Sequence, residues 1–169
     1  MINYRGCTLK NMRVEDVDKV AELLMKDYAK VMFSNELMKY HKFEEIKSFL
    51  IDRLNQSNNN LYFIGYSRNN NMMGYASVMN VNWVQGNAEF SIVLNDKYRN
   101  TGSGQILGKM VLDMCFNELN LIKVSILIKE ENINLLSKIN NKLKLQKVEN
   151  ISKDNVVETY YFDEIYRCN

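Results

Sequence analysis

Chemistry is most legible between positions 97 and 105, where the chain reads Lys97-Tyr98-Arg99-Asn100-Thr101-Gly102-Ser103-Gly104-Gln105. The run follows an apolar strand-like stretch and precedes a stretch with helical periodicity. The first N–H groups of a helix point outward without intrahelical partners, and the helix dipole adds partial positive charge there. Such a start is an anion site. Glycines at 102 and 104 allow a tight turn and let a phosphate come close to the backbone. Arg99 and Lys97 add formal positive charge. A diphosphate suits this set of groups. Two common phosphate loops do not match: GxxxxGK[ST] is absent, and GxGxxG fails because Leu107 stands at the third glycine position with Gly108 one residue late.

Glu89 is the second residue of interest. It lies inside Ala88-Glu89-Phe90-Ser91-Ile92-Val93-Leu94, which reads as a strand. Alternation puts Glu89 on the face of Ser91 and Val93, with Phe90 on the other. A carboxylate there is a proton acceptor, a ligand for a cationic molecule, or a solvated side chain. The single histidine, His41, sits in an aromatic-rich stretch with Phe33 and Tyr40. Cys7, Cys115 and Cys168 are far apart, odd in number and without a CxxC pair, so neither a disulfide framework nor a zinc knuckle is indicated. With one histidine and scattered carboxylates, no dedicated metal site is expected.

These residues need a scaffold, and the periodicities outline one. Cys7 to Met12 reads as a strand. Arg13-Val14-Glu15-Asp16 opens a helix, and Val17, Val20, Ala21, Leu24 and Tyr28 follow as one apolar stripe. Val31 to Lys42 stays unassigned. A second helix runs from about Phe43 to Asn55. Strands are predicted at Leu61–Tyr66, Met73–Val81 and Ala88–Leu94, the first two as an antiparallel hairpin. The polar Asn95–Gly104 loop feeds a helix with Leu107, Met110, Val111 and Met114 on one face. Lys123–Ile128 reads as a buried strand, Ile133–Leu143 as a helix and Val156–Tyr166 as a final strand. The order is β-α-α-β-β-β-α-β-α-β, and it predicts an α/β (α+β) fold with a mixed sheet and helices on both faces.

The 169 residues, 46% apolar and 25% charged, suit one domain spanning 1–169. A net charge of +2 without a polybasic block argues against nucleic acid as partner. No apolar run has the length of a membrane span, and the start lacks the layout of a secretion signal, so a cytoplasmic location is expected.

The pattern Arg99-x-x-Gly102-x-Gly104, in its place between strand and helix, resembles the coenzyme A loop of the GNAT superfamily of N-acetyltransferases. The stretches Asn87 to Leu94, Tyr98 to Gly102 and Asn117 to Ile122 look most like the branch with spermidine and ribosomal-protein N-terminal acetyltransferases. The likeness covers the chain in element order and about Ala88 to Leu145 in motifs. It implies a mostly antiparallel sheet of six to seven strands, and acetyl-coenzyme A as co-substrate. By resemblance, main-chain groups of Ile92, Val93 and Leu94 would bond the pantetheine arm in a gap between strands. Arg99, Asn100, Thr101, Gly102, Ser103, Gly104 and Gln105 would hold the pyrophosphate, and Asn132 would meet the cofactor. Glu89 would take the proton of the attacking amine, directly or through water. The implied activity is acetyl transfer to a primary amine of a small molecule such as a polyamine or an amino sugar. A protein N-terminal acetyltransferase and a catalytically degenerate acyl-CoA-binding module are the alternatives. The family often has a tyrosine that protonates the leaving thiolate. Counting from Asn132, the matching positions hold Leu135 and Ile139, not tyrosine, so the acid is missing, supplied elsewhere or not needed; Ser137 and Tyr160 are substitutes that no feature selects. A homodimer is compatible with the sequence.

Overall fold

The computed structural model describes residues 1–26, 42–56, 59–129, 146–150 and 157–162. Its frame is one sheet in the order β1-β2-β3-β4-β5-β6-β8-β7. Strand β1 (Ile2–Tyr4) and β2 (Cys7–Asn11) form a hairpin. Arg5 and Gly6 make its two-residue turn, both with positive φ, which matches the twist of the strands. β3 (Leu61–Tyr66), β4 (Met72–Asn82) and β5 (Asn87–Leu94) continue the sheet as an antiparallel meander. β6 (Lys123–Lys129) pairs with β5 in parallel, and β8 (Val157–Phe162) lies antiparallel to β6 with β7 (Gln146–Asn150) outside it.

The mixed α/β class is as expected; among the described residues the sheet has eight strands, where six to seven were expected. The predicted first strand, Cys7–Met12, is present as β2, with the unpredicted β1 hairpinned before it, and Gln146–Asn150 is an additional edge strand. The predicted helix at Ile133–Leu143 and the unassigned Val31–Lys42 fall almost wholly outside the described residues.

Helices cover both faces. Helix α1 (Val17–Leu24) and α2 (Phe43–Asn55) pack on the face that carries Tyr62, Ile64, Tyr75 and Val93. A turn of 3-10 helix at Val14–Asp16 leads into α1, and the Asp16 carboxylate accepts the Arg13 N–H at 3.1 Å. In the same way Glu45 accepts the Lys42 N–H at 3.1 Å and starts α2. Helix α3 (Ser103–Asp113) packs on the opposite face, against Leu9, Phe63, Ala76, Val78 and Phe90. Its inner stripe, Leu107, Met110 and Val111, is fully buried, each side chain contributing roughly 1.5–3 kcal/mol. Gly65 permits this contact, because a Cβ there would stand 2.7 Å from Leu107 Cδ1. α3 ends in a π-helical turn at Met114–Glu118. The chain then returns as β6, so β5-α3-β6 is a parallel crossover that fixes where α3 starts relative to the end of β5.

Candidate functional site

β5 is zipped on one edge and opens on the other. Along β4 it is paired from Asn82↔Asn87 to Gly74↔Leu94. Its parallel ladder with β6 runs only from Asn87↔Lys123 to Phe90↔Ile126. β6 meanwhile stays with β8 as far as Lys129↔Val157. The two strands therefore part after Phe90, in the middle of the sheet. The Asn95 N–H donates to the Met73 carbonyl at 2.8 Å. Antiparallel alternation then directs the main-chain groups of Ser91 and Val93 to β4, and those of Ile92 and Leu94 to the edge that β6 leaves. Of the three strand residues singled out by resemblance, Ile92 and Leu94 thus face the gap with their backbones. Val93 faces β4, and its side chain is buried between the sheet and the first two helices.

The chain beyond the gap turns tightly into the start of α3, where an anion cradle is expected. A 3-10 turn at Asp96–Tyr98 follows β5. The Tyr98 hydroxyl donates to Ser67 Oγ at 3.2 Å, pinning the turn to the β3–β4 connection. Lys97 Nζ lies over the Tyr98 ring, and Asp96 pairs with Lys26. Arg99 is extended and exposed, and Asn100 has φ 58°. Gly102 follows in the left-handed region, at φ 85° and ψ −6°, as the residue that caps α3. Thr101 Oγ1 donates to the Tyr98 carbonyl at 2.8 Å and lies 2.8 Å from Ser103 Oγ. Gln105 N–H is taken by the Gly102 carbonyl at 3.1 Å. Among the described residues, none of the main-chain N–H groups of Thr101, Gly102, Ser103 and Gly104 has an acceptor in the chain. A Cβ on Gly102 would meet nothing within 4 Å, so the loop is open above this turn. N–H donors at a helix start, with open space above them, fit a diphosphate.

Glu89 lies on the opposite side of β5 from Phe90, as alternation predicts. It is exposed, opposite Met79 on β4 and Ser125 on β6, just before the strands part. Asn80 Nδ2 donates to its Oε2 at 3.4 Å. Two residues further, Ser91 Oγ is 2.8 Å from Ser77 Oγ, and Ser77 is fully buried. This hydroxyl pair shares a face with Glu89 beside the gap. Sequence reading missed it, since the two serines are 14 positions apart and only the β4–β5 register brings them together. Its single sequence signal was the spacing Glu89-x-Ser91 on one strand face.

Asn132, Ser137, His41, Tyr40 and Phe33 lie outside the described residues. Tyr160 is on β8, opposite Ile126 and Lys147. Cys7 and Cys115 are buried free thiols, and burial pushes the Cys115 thiol up to about 12, so it is a neutral core side chain. Among the described residues no cluster of histidine, cysteine and carboxylate could hold a metal ion.

This geometry can be compared with known proteins. No curated protein matches the chain. Solved structures do. A point mutant of the spermidine N-acetyltransferase SpeG from Vibrio cholerae is 18% identical, with a TM-score of 0.83 and 98% of both chains covered. The dodecameric spermidine N-acetyltransferase from Vibrio cholerae, in an intermediate state, gives 18% identity and a TM-score of 0.80, again over 98% of each chain. A SpeG chimera from Vibrio cholerae and hSSAT gives 18% and 0.82, over 97% of this chain and 99% of that one. At this identity the likeness is one of fold. Residues 7–137, well over half of the sequence, match the profile of the Acetyltransferase (GNAT) domain, so the chain belongs to the GNAT acetyltransferases and is an acyltransferase.

Proposed function

We propose that the protein transfers an acetyl group from acetyl-coenzyme A to a primary amine of a small molecule. The observation that carries this reading is the parting of β5 from β6 after Phe90, with the open edge leading straight to the cradle at Thr101–Gly104. GNAT acetyltransferases in general use acetyl-coenzyme A, which supplies the acetyl group as an activated thioester. In this reading the main-chain groups of Ile92 and Leu94 bond the pantetheine amides as a missing strand would. The Arg99–Gln105 turn holds the pyrophosphate through its N–H groups and Arg99, and Asn132 contributes from beyond β6. Glu89 accepts the proton of the attacking ammonium, directly or through one water, so that the amine attacks as the free base. In this reading Ser91, whose hydroxyl meets that of Ser77, donates to the oxygen on which charge develops.

The similar structures include spermidine N-acetyltransferases, which makes a polyamine one candidate acceptor; an amino sugar is another. The same reading takes residues 1–169 as one catalytic domain in the cytoplasm, with a homodimer as the assembly to test. Among the described residues no helix is long and apolar enough to cross a membrane. The missing tyrosine of the family pattern favours a second reading, an acyl-CoA-binding module without turnover. Thiol release from acetyl-coenzyme A across a panel of amines separates the two. Turnover on at least one small amine is expected; tight binding with no turnover on any amine would establish the module instead.

A further inference from the structure

A cavity of about 680 Å³, open to solvent, lies at the end of the sheet. Gln56 at the end of α2, Asn59 and Asn60 before β3, and Asn80, Asn82 and Trp83 at the end of β4 line it. Its size is that of a small-ligand site. Its chemistry is narrower. None of the lining residues is charged, and five of the eight carry carboxamides, with Val81 and Val84 beside Trp83 as the apolar part. Asn80 connects it to Glu89, donating from Nδ2 to Oε2 at 3.4 Å. The β4 strand is built to present these groups. It bulges between Met79 and Asn82, with Asn80 at φ 54°, and Asn60 Oδ1 accepts the Asn80 N–H at 3.0 Å. Asn82 Oδ1 accepts the N–H groups of Val84 and Gln85 at 3.1 and 2.9 Å, and this turn leaves Trp83 51% exposed at the rim. Gln56, Asn59 and Asn80 are exposed, so their carboxamides can turn toward a ligand.

We infer that this cavity holds the body of the acceptor and that the acceptor is a hydroxylated monoamine of the amino-sugar class. The inference rests on the acetyltransferase reading above and names its substrate. Each carboxamide both donates and accepts, as a hydroxyl does, so a ring of hydroxyls finds partners whatever its orientation. The apolar C–H face of a pyranose stacks on an indole, which presents a broad amphipathic surface at the rim. Among the described residues Glu89 is the carboxylate that meets the cavity wall, through Asn80, and it serves one ammonium, the reacting one. A polyamine would bring two or three positive charges into a cavity whose walls offer none of the opposite sign.

Trp83 is the protein's single tryptophan, so its emission reports occupancy of this cavity without any label. Titration with glucosamine in the absence of coenzyme A should give a saturable change in Trp83 emission, and spermidine at the same concentrations should give none. With acetyl-coenzyme A present, kcat/KM for glucosamine should exceed that for spermidine. Exchanging Gln56→Glu together with Asn59→Asp keeps size but adds two carboxylates at exposed positions. It should raise kcat/KM for spermidine about tenfold and leave coenzyme A affinity unchanged. A saturable response to spermidine but not to glucosamine would overturn the inference, as would a double variant whose spermidine kinetics do not move. Failure of the protein to bind coenzyme A would overturn the acetyltransferase reading instead, and the label-free sugar titration stands apart from that outcome.

Discussion

Gly102 and Glu89 carry the account at the level of single residues. At φ 85° an L side chain on position 102 is strained, so Gly102→Ala should lower stability by about 1 kcal/mol in denaturant melts. Gly104 has ordinary φ, and a Cβ there would stand 3.2 Å from the flexible end of Leu94, so Gly104→Ala should cost less. Equal losses at both positions would speak against the left-handed turn. Glu89→Gln should slow turnover roughly 100-fold or more if the carboxylate takes the amine's proton, mostly below the acceptor's pKa, with coenzyme A affinity unchanged. A pH–rate profile superimposable on the parent's would remove that role. The glycine spacing was legible in the sequence because a left-handed turn before a helix leaves few other residue choices. Ser77 and Ser91 were not, because their contact exists only once the sheet register is known.

Among the elements, the β4–β5 pair sets the cleft. A Cβ on Gly74 would come within 2.3 Å of the Val93 carbonyl oxygen, a backbone atom held in the ladder. The corresponding obstacle at Gly65 is the far end of the Leu107 side chain, which can turn away. Gly74→Ala should therefore cost roughly 2–4 kcal/mol and weaken coenzyme A binding by moving Ile92 and Leu94, whereas Gly65→Ala should cost about 1 kcal/mol and leave binding alone. Thermal melts and coenzyme A titrations of the two variants check this; the reverse order would contradict the placement of the cleft on β5. The meander β3-β4-β5, α2 and α3 were readable because each shows a clean two- or 3.6-residue period between turn signals. β1 has three residues and no period to read, and β7, Gln-Lys-Val-Glu-Asn, has a single apolar residue, so both depend on a neighbouring strand that sequence does not reveal. The parting of β5 from β6 is likewise a property of pairing, and resemblance to a family supplied it where periodicity could not.

For the whole molecule, alkaline stability and ligand binding are the informative readouts. An unfolded cysteine ionises near 9.0, whereas burial holds Cys115 neutral up to about 12. The unfolded chain therefore loses that proton first. Stability is unaffected by this thiol below pH 9 and falls as pH climbs from 9 to 12, by on the order of 4 kcal/mol at most. Cys115→Ala should flatten that part of the stability–pH curve, in which buried Tyr75 and half-buried Tyr66, both raised above 10 chiefly by burial, take part at higher pH. An unchanged curve would place Cys115 in contact with water. The central claim concerns the cradle at the start of α3, and calorimetric titration of coenzyme A into the parent and Gly102→Glu proteins tests it most directly. The account predicts one site per chain with micromolar affinity in the parent, and no detectable heat in the variant, whose carboxylate stands where the diphosphate binds while its fold is retained. No binding by the parent up to millimolar coenzyme A, or equal affinity in the two proteins, would contradict it.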